Sequence, residues 1–189
     1  MKPKISRRLS KTACIQTTKT WIKTFVIGMN LCPFAKLPFQ NNDIRYKVTK
    51  AAHPNELLEV LIRELENLAD PPGEFVETVL IIHPNCLQEF DDYLDFLSVT
   101  TALLEEMELD GVFQIASFHP DYQFEGTKPE AVENYTNRSP YPMLHLLREE
   151  SVSKAVEHYP GIDSIPDKNI ANLRALGISA IKARWNELK

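Results

Sequence analysis

The segment 78–82 reads Thr-Val-Leu-Ile-Ile, an apolar run without alternation that is followed at once by His83 and Pro84. A strand with one side in solvent alternates apolar and polar residues, whereas a strand covered on both sides reads as a continuous apolar run. The run therefore predicts a central strand. A chain with such a strand needs one layer of helices above its sheet and another below it.

Two further strand patterns accompany this run. Residues 44–48 alternate apolar and polar side chains, as a half-exposed strand does, and residues 112–118 form a third predicted strand. Asn55 is the predicted cap of the helix after the first strand, and Gly111 follows the helix after the second. Because parallel strands need crossover connections, this order predicts an α/β fold with a small three-stranded, mainly parallel sheet in the order 1-2-3.

Helices are expected on both faces of this sheet. The two crossover helices lie on one face, because such crossovers share the same right-handed sense. A helix predicted over residues 15–29 and the mostly helical C-terminal third then cover the other face. We expect residues 1–189 to form a single domain, in which residues 1–14 are a flexible basic arm.

Charge is unevenly distributed along the chain. Residues 1–42 contain eight Lys or Arg residues and no Asp or Glu, although the formal net charge of the whole chain is −5. No Lys or Arg occurs between Arg63 and Lys128, where acidic residues continue. This acidic middle would repel a nucleic-acid backbone, so we expect no nucleic-acid partner. It suits a basic protein instead, which makes an interaction module one alternative function.

The distribution of apolar residues and cysteines predicts a cytoplasmic protein. No uncharged run approaches the roughly 18 residues of a membrane span, and the N-terminus lacks the apolar core of a signal peptide. The three cysteines, Cys14, Cys32 and Cys86, are an odd number without CxxC spacing. We therefore expect reduced thiols and no membrane association.

Each predicted strand is followed by the same dipeptide, at His53-Pro54, His83-Pro84 and His119-Pro120. The carboxyl ends of parallel strands share one edge of a sheet, where ligands bind in open α/β folds. Neighbouring strands are about 4.8 Å apart, so imidazoles at these ends would lie close together.

Three interpretations of these histidines are open. His83 and His119, completed by Asp121, are candidates to bind a divalent transition metal. Alternatively, His119 is a general acid or base that Asp121 orients and His83 assists. In the third interpretation the imidazoles only cap strand ends and bond to loop carbonyls.

The loop after the third strand is rich in side chains that recognise small polar ligands. Arg138 offers a planar fork for a carboxylate or phosphate. Ser139 and Pro140 predict the start of a helix that contains His145. The alternative is an ordered loop whose polar groups satisfy its own backbone. The candidate ligand-binding residues of this region are Tyr122, Asn134, Asn137, Arg138, Tyr141 and His145.

Cys32, beside Pro33, is a further ligand-binding candidate. A Cys-Pro pair in a loop is able to ligate haem iron or to act as a thiolate nucleophile, although a buried cysteine at a helix end is commoner. A metal- or haem-binding protein that uses Cys32, His83 or His119 is therefore the second alternative function.

Three strings resemble a known family. Residues 30–35 read Asn-Leu-Cys-Pro-Phe-Ala, residues 117–124 read Ser-Phe-His-Pro-Asp-Tyr-Gln-Phe, and residues 133–148 begin Glu-Asn-Tyr-Thr-Asn-Arg-Ser-Pro. From about Thr17 onwards the chain resembles the bacterial family called domain of unknown function 1415. The resemblance implies a stand-alone protein of this size without an established activity. Its pattern does not clearly call for histidine at position 53, which disfavours a three-histidine metal centre.

From the residues we predict an enzyme that acts on a small anionic metabolite at the carboxyl edge of the sheet. His119 would accept and donate the proton, Asp121 would orient the His119 ring, and Arg138 would bind the anion. His83, Tyr122 and Asn137 would supply supporting contacts.

Overall fold

The computed structural model describes residues 10–71, 75–159 and 161–188. Its strands are β1 (Ile44–Val48), β2 (Thr78–Ile82), β3 (Phe113–Phe118) and β4 (Met143–Arg148). Its α-helices are α1 (Lys11–Trp21), α2 (Lys36–Asn41), α3 (Pro54–Ala69), α4 (Phe90–Glu106), α5 (Glu149–His158), α6 (Ile165–Leu176) and α7 (Ile178–Asn186). A π-helix spans Ile22–Ile27, and two 3₁₀ helices span Val132–Thr136 and Ile162–Ser164.

The four strands form one mixed sheet in the order β1-β2-β4-β3. β1 and β2 are parallel, whereas β4 is antiparallel to both β2 and β3. β1, β2 and β3 therefore point the same way, as predicted, but the three-stranded, mainly parallel sheet in the order 1-2-3 is wrong. β4 lies between β2 and β3, and two of the three strand pairings are antiparallel. The helix predicted from Ser139 is also wrong. A short apolar run such as Met143–Arg148 has no periodicity that separates a buried strand from a helix.

The prediction of a doubly covered central strand is confirmed. All five residues of β2 are buried, and their side chains divide between two apolar cores. On one face Val79 and Ile81 pack with α3 and α4. On the other face Leu80 and Ile82 pack with α1, the π-helix, α6 and α7. The crossover helices thus share one face, and the N-terminal and C-terminal helices cover the other.

The N-terminal helix differs from its predicted bounds. It begins at Lys11, where the backbone N–H of Ala13 donates to the Ser10 hydroxyl at 3.1 Å. Residues 11–14 of the predicted arm are therefore helical, and residues 1–9 lie outside the described residues. The predicted continuous helix over 15–29 changes to π geometry after Trp21.

The cap of α3 is His53 rather than the predicted Asn55. Pro54 occupies the first helical position, where its missing N–H costs nothing. The Glu56 carboxylate accepts a hydrogen bond from the backbone N–H of Ala52 at 2.8 Å. This arrangement fixes the turn between β1 and α3, and it leaves the His53 side chain exposed.

A buried carboxylate ties α3 to the edge strand β1. Arg45 and Lys47 face the α3 side of the sheet, in register with Val79 and Ile81. The Glu64 carboxylate lies 2.8 Å from Lys47 Nζ and 3.5 Å from Arg45 Nη1. Inward-pointing charges on an edge strand discourage pairing with another chain.

Candidate functional site

His83 and His119 follow β2 and β3 directly and lie at the same edge of the sheet, called here the carboxyl rim. The predicted strand order placed them on adjacent strands. That expectation is wrong, because β4 lies between β2 and β3 and separates them by two strand spacings, about 10 Å. The ring of Tyr93, from α4, fills this space. Its centroid lies 5.9 Å from that of His83 and 5.2 Å from that of His119. All three side chains are buried.

Tyr93 also joins the ends of the two strands beneath it. Its hydroxyl donates to the Met143 carbonyl of β4 at 2.7 Å and accepts from the Phe118 N–H of β3 at 3.0 Å. Burial raises the pKa of Tyr93 above its usual value, so the phenol remains protonated. The hydroxyl thereby satisfies two backbone groups at the carboxyl rim.

Replacing Tyr93 with Phe is expected to destabilise the protein by about 1–3 kcal/mol. The substitution keeps the ring but leaves the Phe118 N–H and the Met143 carbonyl without their shared partner. Urea unfolding measures the change in the free energy of unfolding. A loss below about 0.5 kcal/mol would mean that the two strands close the gap and pair directly.

The two imidazoles bind consecutive carbonyls of one turn, residues 84–89. A carbonyl only accepts hydrogen bonds, so His83 Nδ1–H donates to the Cys86 carbonyl at 3.0 Å. His119 Nε2–H likewise donates to the Leu87 carbonyl at 3.1 Å. His119 Nδ1 accepts from the backbone N–H of Asp121 at 3.1 Å. Both nitrogens of His119 are therefore occupied, and its neutral tautomer carries the proton on Nε2.

This turn contains a strained residue. Leu87 has φ 55°, in the left-handed region that costs a side chain with a Cβ roughly 1–2 kcal/mol. Strain of this kind persists only where the surroundings impose it. The hydrogen bond from His119 holds the Leu87 carbonyl in place.

His83 retains one unused nitrogen. Its Nε2 is buried and has no hydrogen-bond partner within the described part of the chain. Desolvation by burial, together with the neighbouring His119, lowers the pKa of His83 from 6.5 to about 4, while the bond to Cys86 raises it. Burial also lowers the pKa of His119, whereas the negative charges of Asp121 and Glu89 raise it. Both rings are neutral at pH 7.

The predicted metal ligands do not assemble. Within residues 10–71, 75–159 and 161–188, no group of three or more His, Cys, Asp or Glu side chains is arranged to hold a metal ion. The nitrogens of His119 are already bonded to Leu87 and Asp121. The Asp121 side chain is exposed.

The polar residues of the loop after β3 bond mainly to the loop itself. Arg138 donates to the carbonyls of Tyr122 and Pro129 at 3.1 and 2.7 Å, and its guanidinium lies 4.8 Å from the Tyr135 ring. Asn137 donates to the Ser117 carbonyl at 3.1 Å.

Asn134 is buried and organises the same loop from within. Its carbonyl oxygen accepts from the Phe124 N–H and the Thr127 hydroxyl, and its amide donates to the Lys128 carbonyl. A cavity of about 440 Å³ lies at the tip of the loop, and no histidine lines it; its walls are Gly126, Thr127, Lys128, Glu130, Ala131 and Glu133.

Tyr141 and His145 lie on the other side of the sheet from the rim histidines. The Tyr141 hydroxyl bonds to the side chains of Cys14 and Thr17. His145 is in β4 rather than in the predicted helix. Its Nε2–H donates to the Thr78 hydroxyl at 2.7 Å, because that hydroxyl donates its own proton to the Leu146 carbonyl. Burial lowers the pKa of His145 to about 4.

Cys32 is a half-buried thiol in the turn before α2. Burial raises its pKa above the usual value, although hydrogen bonds from the backbone of Phe34 and Ala35 lower it. A raised pKa keeps the sulfur protonated at pH 7. This environment does not favour a thiolate nucleophile or an axial thiolate ligand.

Sequence reasoning missed Tyr93 and Leu87. Tyr93 belongs to the buried face of α4, where an aromatic residue looks like ordinary core. Leu87 carries no sequence signal for a left-handed conformation, which usually favours Gly or Asn. Its backbone is fixed by contacts with residues far along the chain.

In the described ranges, no helix is both long enough and apolar enough to cross a membrane. Searches of curated proteins and of solved structures returned no match. The sequence model of one family, described as "Protein of unknown function (DUF1415)", matches residues 13–183. Because this match spans nearly the whole chain and includes every residue of the carboxyl rim described above, the protein belongs to the DUF1415 family.

Proposed function

We propose that the protein is an enzyme that binds a small metabolite at the carboxyl rim and transfers a proton through His83 Nε2. The unpaired, buried Nε2 carries this proposal. A buried acceptor without a partner costs about 1–3 kcal/mol, and perturbed titratable groups concentrate at functional sites. At pH 7 the ring is neutral, so Nε2 is free to accept a proton.

An anionic ligand would improve His83 as a base. With a pKa of about 4 the isolated ring is a weak base. A negative charge beside it favours the imidazolium and raises the pKa towards neutrality. Binding of an anion would therefore bring His83 closer to the pKa that proton transfer at neutral pH requires.

Arg138 supports an anionic ligand. Its guanidinium contacts two carbonyl oxygens and an aromatic ring. Among the ion pairs of the described chain none includes Arg138. Its positive charge is thus held in place without a carboxylate partner, as an anion-binding residue requires.

His119 serves this proposal as a positioning residue. Both of its nitrogens are occupied, so the proton-accepting role passes to His83. The bond from His119 fixes the Leu87 carbonyl, and His83 binds the carbonyl directly before it. The strained turn would open to admit the ligand, and release of its backbone strain would offset part of the cost.

The alternative functions have weaker support. An interaction module rests on Leu94 and Val99, which are 42% and 45% exposed among the acidic residues of α4. A metal- or haem-binding role would have to rely on His83 and the protonated Cys32. The unpaired nitrogen of His83 favours the enzyme.

Incubation with a panel of small carboxylates and phosphate monoesters, followed by proton NMR, tests the proposal. We expect at least one compound to be consumed, and His83→Asn to slow its turnover by about 100-fold or more. Asn keeps a donor for the Cys86 carbonyl but cannot exchange a proton at the Nε2 position. His53→Asn, at an exposed histidine, is the matched control and should retain full activity. A panel in which nothing is consumed, or equal turnover by His83→Asn, contradicts the proposal.

A further inference from the structure

A second cavity lies on the opposite face of the sheet, where the end of the π-helix meets α6 and α7. Its volume is about 180 Å³, and it is lined by Met29, Asn172, Leu173, Leu176 and Arg184. We call it the C-terminal groove.

The floor of the C-terminal groove is apolar. Leu173 is 1% exposed and belongs to the core on this face of the sheet, while Met29 and Leu176 pack against that core. The groove therefore continues the apolar interior to the surface. An apolar chain of a few carbons placed here would be removed from water, which is favourable.

The rim of the groove carries an unpaired cation. Arg184 is exposed and lies in the last turn of α7. Within the described ranges it makes no ion pair and no side-chain hydrogen bond, whereas Arg174 on α6 pairs with Glu133 at 2.9 Å. A guanidinium beside an apolar floor suits a ligand whose apolar chain ends in a planar anion.

The surrounding charge favours an anion as well. Residues 10–42 and 161–188, which cover this face, contain eight Lys or Arg residues and three Asp or Glu residues. By contrast, residues 54–71 and 84–112, on the opposite face, contain one Arg and thirteen Asp or Glu residues. An anionic ligand would therefore be attracted to this face.

We propose that the C-terminal groove binds a small amphipathic carboxylate. The apolar chain lies against Met29, Leu173 and Leu176, the carboxylate pairs with the Arg184 guanidinium, and the Asn172 amide is the second polar contact. This site is separate from the carboxyl rim and does not depend on the function proposed there.

Titration with hexanoate, followed by the backbone amide signals of the groove residues in two-dimensional NMR, tests the site. Each buried methylene contributes about a fourfold gain in affinity, so butanoate should bind about 15-fold more weakly. Arg184→Gln should weaken hexanoate binding about tenfold or more. Lys182→Gln removes an exposed cation of the same helix outside the groove and should have little effect.

Hexylammonium is the competing probe, because the C-terminal ends of the π-helix and α6 also lie near the groove and attract cations. We expect hexylammonium to bind much more weakly than hexanoate. Equal binding of the two probes, equal effects of Arg184→Gln and Lys182→Gln, or no shift of the groove signals with hexanoate would each overturn the proposal.

Discussion

Lowering the pH from 7 to 4 is expected to reduce the free energy of unfolding by about 3 kcal/mol through His83 alone. Burial lowers the pKa of His83 from 6.5 to about 4 in the folded protein. Between these values the unfolded chain binds a proton that the folded protein excludes. The stabilisation is therefore complete above pH 6.5 and is lost as the pH falls towards 4. His145 acts in the same direction, because its pKa is also lowered to about 4.

A His83→Asn variant separates this contribution from other acid effects. Asn does not titrate. Urea unfolding at pH 7, 5.5 and 4 should therefore show that the free energy of unfolding falls, between pH 7 and 4, by about 3 kcal/mol less in this variant than in the wild type. His53→Asn, at the exposed cap of α3, should keep the wild-type dependence. Parallel pH profiles for the wild type and His83→Asn would contradict a buried neutral imidazole at this position.

Removing both cations that face Glu64 is expected to cost about 3–5 kcal/mol. The Glu64 side chain is only 3% exposed, and its partners are Lys47 and Arg45. In an Arg45→Met, Lys47→Met double variant the carboxylate remains buried without an opposite charge. Chemical denaturation at pH 7 measures the loss.

Two further variants show whether the unpaired carboxylate causes this loss. Adding Glu64→Leu to the double variant should restore most of the stability, because it removes the buried charge. Glu59→Gln, on the same helix, breaks an exposed pair with Arg63 whose atoms are 3.9 Å apart, and it should cost less than about 1 kcal/mol. If the double variant is as stable as Glu59→Gln, the prediction is wrong, and water must reach the Glu64 carboxylate.

Much of the fold is predictable because three strands have unambiguous patterns. The alternation of residues 44–48 and the apolar run of 78–82 match the observed strands residue for residue. The two-faced burial of β2 then requires helices on both sides. β4 was not predicted because Ser139-Pro140 is a typical helix start. Only pairing with β2 and β3 makes Met143–Arg148 a strand.

The candidate site is predictable only in part. The strand directions place His83 and His119 at one edge, as the sequence indicates. The carbonyls that the two imidazoles bind belong to the turn of residues 84–89, and the Tyr93 side chain lies over β4 between the two rings. Those contacts join residues that are far apart in sequence, so no local pattern encodes them.

The place of β4 in the sheet has a consequence for synthesis of the chain. When Phe118 leaves the ribosome, the edges of β2 and β3 that β4 later pairs with are both still unpaired. At roughly 5–20 residues per second, the thirty residues up to Arg148 take about 2–6 s to appear. During that interval the nascent chain exposes the two strand edges that β4 later covers and has an incomplete interior, which exposes this stage to aggregation and to chaperone binding.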